Sequence, residues 1–399
     1  MNDMPTAIAA LASEPPGAAP VPHPAEIGGL PKVLLLVSEL EDYTIAFANG
    51  LARHVRVVIG VPGRQYAGLS EWFDPVVDLR LLDWPRHRSL SNPRFLLSLL
   101  ALVRRERPDV IHLLSNNTLW LNLIAPFWRG IPLVTTVHDV TIHPGDAQTA
   151  TLPGWAPWLM ARQSPHLVVH GPALKDAALR RFGKAAGRVH VLSHPAIVRY
   201  AELARRENLS PRRGAPFTVL LFGRIYAYKG LDLLVRAEAL VPGTTPLRIV
   251  IAGRGDDPEG LSDGMGDHAR YDIRHRFIPD REVAQLFLDA NVVVLPYAEA
   301  SQSGVLHLAC AFGKPVLVTD VGELGATVRS RDIGLVVPPG DAPALARAME
   351  RLSADALLRR RLGANARRWA EGDNAPEAVG ASAARLYRSI LSGESTHGT

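Results

Sequence analysis

The sequence is poor in cysteine. Cys310 is the sole one in 399 residues, which excludes an internal disulfide framework and any multi-cysteine zinc or iron–sulfur site and makes a reducing compartment the default. Long apolar runs are missing too, since no window reaches the roughly 18 residues of a membrane-spanning helix. The opening MNDMPTAIAALASEPP lacks the basic start and the longer apolar stretch of a secretory signal. Residues 1–29, rich in Ala and Pro, read as a disordered leader. No internal repeat is visible, and the arginines are scattered without a recognition motif, so nucleic acid is not an expected partner. A cytoplasmic location is expected, with any membrane contact peripheral, on the inner face.

What is present suits two ordinary domains. Hydrophobic residues make up 47% and charged residues 21%, enough to bury a sizeable core and far from the signature of disorder. The net charge of +5 is unevenly placed: residues 30–205 hold 20 Lys and Arg against 13 Asp and Glu, giving +7, and residues 206–399 hold 24 against 23, giving +1. Six of the seven tryptophans, Trp72, Trp84, Trp120, Trp128, Trp155 and Trp158, share the basic half. Basic charge with Trp suits an anionic membrane interface; Trp in the core or a cleft, with solvated arginines, fits equally well.

From Lys32 onward short apolar runs alternate with helical stretches, the mark of strand–helix–strand units and parallel sheets. Strands are expected at 33–37, 55–61, 110–114, 133–137, 167–169 and 189–192, with helices at 44–54 and 95–106. The basic, Pro-containing stretch LARRENLSPRRGAP (203–216) reads as an interdomain linker. The alternation then restarts, with strands at 218–222, 247–252, 275–278, 292–295, 316–319 and 334–337 and helices at 232–240, 280–290 and 304–312. Helical stretches at 342–362 and 374–391 follow. The pattern divides the chain into a leader (1–29), a first Rossmann-like α/β domain (30–205), a linker (206–216), a second such domain (217–373) and a terminal segment (374–399). Two doubly wound sheets in tandem are implied.

Two segments carry chemistry. FGRIYAYKG (222–230) follows a strand; Gly223 lets the backbone approach a ligand, and Arg224 and Lys229 can converge on one diphosphate. An ordinary turn with a solvated lysine would read the same way. YAEASQSGVLHLACAFGK (297–314) also follows a strand, and Ser303–Gly304 opens a helix whose free amides favour an anion. Ala300, Ser301 and Gly304 leave room for a ligand, and Glu299 is the lone carboxylate nearby. A capped helix packed on its sheet is the plain alternative. Cys310 falls on the apolar helix after this loop and reads as core packing.

FGRIYAYKGLDLLVRA, IVIAGRG, RFIPDREVAQLFLDANVVVLPY, SGVLHLACAFGKPVLVTDVGEL and GLVVPPGD, in this order, resemble the donor domain of glycosyltransferase family 4, retaining nucleotide-sugar enzymes of GT-B fold. The resemblance is specific over about 217–341. It is looser in the first half, where VTTVHD (134–139) carries it. It implies two Rossmann-like domains facing a cleft, with the last helix crossing back to the first. Arg224 and Lys229 then match the pair that holds the donor diphosphate, and Phe277 and Ile278 the stretch that meets the nucleobase. His138 matches a histidine near the reacting sugar, with a cleft or capping histidine as its plain alternative. Gly223, Ser301, Gln302, Ser303, Gly304 and Val305 would line the donor site. No metal or other cofactor is implied. The family's two glutamates, separated by seven residues, are absent: one alignment puts Ala300 and Leu308 at those positions, another Glu299 and His307.

In SELEDYTIAFANGLA the usual Gly-rich loop is also missing, leaving Asp42, Tyr43 and Thr44 at an expected helix start, together with Asp139, as cleft candidates. An N-cap without a ligand is the plainer reading of Asp42 and Thr44. His138, Asp139, His143 and Asp146 could be imagined as a metal site, but Pro144–Gly145 marks a loop and no metal is expected. The expected activity is retaining transfer of a sugar from a nucleotide-diphosphate sugar to a glycan or lipid-linked acceptor in polysaccharide or glycoconjugate synthesis. The alternatives are a nucleotide-sugar epimerase of the same fold and a catalytically degenerate paralogue that binds a glycan or a partner.

Overall fold

The computed structural model describes residues 29–85, 89–115, 121, 124–140 and 155–393. The apolar runs form two separate, wholly parallel sheets. The first holds β1 (Lys32–Leu36), β2 (Arg56–Pro62), β3 (Asp78–Leu82), β4 (Val110–Leu113), β5 (Leu133–Thr136), β6 (His166–Val169) and β7 (Val189–Val191), in the order β3-β2-β1-β4-β5-β6-β7. The second holds β8 (Phe217–Phe222), β9 (Leu247–Gly253), β10 (Tyr271–His275), β11 (Val292–Leu295), β12 (Val316–Thr319) and β13 (Gly334–Val337), in the order β10-β9-β8-β11-β12-β13. Runs such as VLLL and VVVL are buried because helices cover both faces of a parallel sheet. In each sheet the strand order reverses beside the first strand, between β1 and β4 and between β8 and β11. Ligands of open α/β sheets bind outside the strand C-termini at such points.

The terminal helix Pro376–Ser392 crosses back onto the first domain, where it packs on helix Glu41–Ala52. Glycines make that contact possible: a Cβ on Gly50 would lie 1.8 Å from the Pro376 carbonyl oxygen, and one on Gly380 2.2 Å from Gly50. Val379, Ala383, Ala384, Leu386 and Tyr387 thereby join the core of the first sheet, each large side chain contributing about 1.5–3 kcal/mol by leaving water. Cys310 is fully buried, and burial pushes its thiol up.

Several expectations needed correction. Strand β3 was not foreseen, because DLRLL is a half-buried edge strand with weak alternation. The strand expected at 275–278 lies at Tyr271–His275, since the chain turns off the sheet ahead of Pro279. The helical stretch expected at 342–362 is two helices, Ala342–Ala354 and Ala356–Glu371; Asp355 ends one and caps the other, accepting from the Leu358 amide at 2.8 Å. Residues expected to begin the linker belong to helix Arg199–Arg206, which packs on helix Asp280–Asp289 of the second domain.

Candidate active site

The donor-side residues meet at the C-terminal ends of β8 and β11. Gly223 has φ 110°, and β9 comes so close that a Cβ on Gly253 would lie 1.7 Å from the Gly223 carbonyl oxygen. Arg224 stands exposed at this strand end. Gly230, at φ 70°, closes the turn against the Pro296 carbonyl and sets Lys229 over the Tyr297 ring, with Nζ 4.0 Å from its centroid and 4.9 Å from that of Tyr228. Burial opposes the ammonium charge, but Tyr297 and Tyr228 outweigh it and hold Lys229 above its ordinary range. The Tyr297 hydroxyl in turn shares a 3.0 Å hydrogen bond with Ser303 Oγ. A chain Lys229–Tyr297–Ser303 thus joins the two segments singled out in the sequence. Gly223 faces Val305, whose Cγ2 would lie 3.6 Å from a Cβ there. Ser301 and Ser303 are buried, Gln302 and Gly304 partly so, and Glu299 is exposed in the bend after β11.

The stretch expected to meet the nucleobase leaves the sheet before Phe277, whose ring is 62% exposed with the Arg254 guanidinium 5.2 Å from its centroid. Ile278 beneath it is core. An exposed aromatic plane flanked by a cation can stack against a planar ring. Arg254 escaped the sequence reading, although GRG after β9 repeats the pattern of Gly223–Arg224 after β8.

The opposing wall is built of imidazoles around Tyr43. Its ring lies 4.7 Å from that of His138, 5.5 Å from His170 and 4.9 Å from His194. His138 Nε2 donates to the Leu114 carbonyl at 2.8 Å, and Nδ1 of His170 to that of Leu192 at 2.9 Å. A carbonyl only accepts, so the other ring nitrogen of each neutral imidazole carries a lone pair. Burial pulls both below the ordinary histidine range; for His138 the nearby charges of Asp139 and Glu39 act against this. Asp139 itself is exposed. His170 and His194 gave no motif, and the signal that finds them is their place directly after β6 and β7.

His307 completes the wall from the second domain. Its ring stacks on that of His194 at 4.2 Å and 9°, and its Nδ1 accepts from Asn374 Nδ2 at 3.0 Å. Asn374 also accepts the Ala196 amide at 2.8 Å through its backbone, so one buried residue ties the exit of the first domain, the helix Gly304–Ala311 and the crossing segment together. His307 is therefore part of the seam between the domains. Leu308 is buried in the core and Ala300 packs against it. Glu323, also unforeseen, reaches across the seam and accepts from the Leu174 amide, in the first turn of helix Pro172–Phe182, at 3.1 Å.

Two cleft candidates take other roles. Asp42 accepts from Arg199 Nε at 2.7 Å and from the Tyr200 hydroxyl at 3.0 Å, and Arg199 also binds Asp280, so the three form a brace across the domains. Thr44 is not at the helix start: the helix begins at Glu41, and the Thr44 amide already donates to Leu40. Its hydroxyl lies 3.2 Å from that of Tyr66. Of the tryptophans of the basic half, Trp72 is a platform for Arg199 and Arg206, Trp84 packs against the core, Trp128 is core, Trp158 holds Arg162, and Trp155 is 54% exposed. Trp120, His143 and Asp146 lie outside the described residues. Among the described residues no three His, Cys, Asp or Glu side chains group to hold a metal ion, and no helix is long and apolar enough to cross a membrane.

Two family models match the chain, one described as Glycosyltransferase Family 4 over residues 40–196 and one as Glycosyl transferases group 1 over residues 216–355. The alpha-D-kanosaminyltransferase of Streptomyces kanamyceticus is 30% identical over 281 residues, spanning 65% of this chain and 71% of that protein. Among solved structures, sucrose-phosphate synthase from Thermosynechococcus elongatus superposes with a TM-score of 0.67 at 21% identity, over 91% of this chain and 100% of that one. Anabaena HepE in complex with UDP gives 0.66 at 18% identity, over 90% and 100%.

Proposed function

The chain belongs to the family 4 glycosyltransferases, nucleotide-sugar enzymes of two-domain GT-B fold, and on that premise we propose that it transfers a sugar from a nucleotide diphosphate to a glycan or lipid-linked hydroxyl with retention of configuration. The observation that carries the reading is the Lys229–Tyr297–Ser303 chain, which links a lysine ammonium, held above its ordinary range, to Ser303 at the N-cap of helix Gly304–Ala311. Arg224 and Lys229 meet the diphosphate, helix amides meet its oxygens, and the nucleobase lies on Phe277 beside Arg254. HepE with bound UDP, a neighbour in fold, favours a uridine donor.

In this reading the bond from the anomeric carbon to the diphosphate oxygen breaks first. Arg224 and Lys229 neutralise the charge that develops there, in a setting where fixed cations act most strongly. The acceptor hydroxyl attacks from the same face and passes its proton to the departing phosphate oxygen, so neither a carboxylate base nor a metal is required. His138 orients the sugar through its Nδ1 lone pair. The basic first domain holds the acceptor, at an anionic membrane surface when the acceptor is lipid-linked.

The test is turnover with UDP-, GDP- and ADP-sugars, comparing the wild type with Arg224→Ala and Lys229→Ala. Loss of a diphosphate contact should lower turnover by about tenfold to a thousandfold. Equal turnover in all three proteins would refute the site, and donor conversion without acceptor would favour epimerisation.

A further inference from the structure

The second domain is near neutral by count, yet its far side carries a concentrated cationic groove. Loops 290–291 and 313–315 precede β11 and β12, so they lie at the strand N-termini, at the opposite edge of the sheet from Gly223 and Arg224. With helix Ala356–Glu371 they enclose a groove of about 700 Å³, a volume typical of small-ligand sites. Its lining includes the small residues Ala356, Gly363 and Ala364, the cations Lys314, Arg359, Arg360, Arg367 and Arg368, and one carboxylate, Glu371.

Charge compensation in the groove is thinner than at several other arginines of the chain. Arg199, Arg248, Arg270, Arg274, Arg276 and Arg361 each lie within ion-pair distance of an Asp or Glu. Among the described residues, Arg359, Arg360 and Arg368 have no carboxylate partner, and Arg367 has only Glu371, at 3.8 Å. Arg359 donates to the Leu352 and Ser353 carbonyls, Arg368 to Asn365 at 3.2 Å and Lys314 to the Leu288 carbonyl at 2.8 Å. These neutral partners leave the positive charges uncompensated, and the Arg359 guanidinium also lies 5.3 Å from the Phe217 ring centroid. Burial, reinforced by Arg367 and opposed by Asp289, brings the Lys314 ammonium down to about 8.

We infer that this groove is a second anion site, separate from the donor site, that takes a phosphate-bearing small molecule or headgroup. Planar guanidinium forks lining a ligand-sized hollow suit the several accepting oxygens of a tetrahedral phosphate. The site is confined to one helix face and two loops. Even from Arg359 to Glu371 the helix runs only about 18 Å, enough for a small polyanion.

The test uses the full chain with UDP saturating, so that the donor loops are filled. Inorganic tripolyphosphate is titrated by calorimetry, and phosphatidylglycerol vesicles are tested in parallel by co-sedimentation against phosphatidylcholine. Binding in the first arm identifies a free phosphate ligand, and binding in the second alone identifies a lipid headgroup. In either arm Arg360→Ala/Arg368→Ala should weaken binding by about tenfold or more, since both side chains are exposed charged donors. Arg360→Lys/Arg368→Lys keeps the charge without the fork and should recover binding only in part. Arg224→Ala should change UDP affinity and leave groove binding intact, which separates this site from the donor reading. Unchanged affinity in the double alanine variant, or no binding in either arm, would overturn the inference.

Discussion

Acidification should loosen this protein well above the pH at which its carboxylates titrate. His112 and His307 are buried and hydrogen-bonded as neutral imidazoles, and burial brings both from 6.5 down to about 3. A histidine lowered on folding leaves the unfolded chain binding more protons below 6.5. Its contribution is therefore intact above pH 6.5 and falls as pH drops toward 3. At pH 5 an unfolded histidine near 6.5 has gained about 2 kcal/mol from its proton, so these two residues together cost about 4 kcal/mol relative to pH 7.5. His138, His170 and His194 push in the same direction. That is a large part of the roughly 5–15 kcal/mol that holds an ordinary domain folded. Asp272, held low by Arg274, acts only at more acidic pH. Urea denaturation from pH 7.5 to 5 should show the loss, and His307→Gln should remove about half of the 4 kcal/mol assigned to the pair. Stability flat within 1 kcal/mol over that range, or an unchanged pH slope in His307→Gln, would refute the reasoning.

Other perturbations separate the parts of the molecule. Arg199→Ala leaves Asp42 without its cation beside the seam and should lower stability by about 2–3 kcal/mol, less than for a wholly buried pair because Asp42 and Asp280 are partly exposed; a change below 0.5 kcal/mol in urea denaturation would count against the brace. Gly380→Ala places a methyl 2.2 Å from Gly50 and should cost about 2–3 kcal/mol by forcing the crossing helix outward, visible as a lower melting temperature. Tyr297→Phe removes the hydroxyl between Lys229 and Ser303. Donor KM should rise several-fold while stability falls by about 1 kcal/mol, whereas an unchanged KM would place the Lys229–Tyr297–Ser303 chain outside donor binding.

Much of the architecture was legible because parallel strands buried on both faces must be written as apolar runs. Eleven of the thirteen strands overlap the expected segments closely. β3 was missed because an edge strand needs only partial burial, and β10 was displaced because IRHRFI offers apolar residues on either side of the true strand end. The placement of Gly223, Arg224, Lys229, Ser303 and Gly304 at a strand end and a helix start could be read because strand-end glycines and helix starts are local features. Thr44 was misplaced for an equally local reason: a helix that begins three residues earlier, at Glu41, carries it past the terminus into the buried face, while Asp42 does lie in the first turn.

By itself the sequence determined two tandem α/β domains, a pair of cations, Arg224 and Lys229, following β8, and the absence of the two family glutamates. Only the tertiary structure decided that His307 faces His194 and Asn374 in the seam, that Asp42 belongs to a brace through Arg199, and that a near-neutral domain hides a cationic groove. The physical reason is separation along the chain. Hydrophobic period and turn chemistry act between neighbours, whereas His194 and His307, or Lys314 and Arg367, meet only after helices and sheets pack. Net charge averages over a domain, while a ligand responds to the few charges that the fold brings within reach of one another.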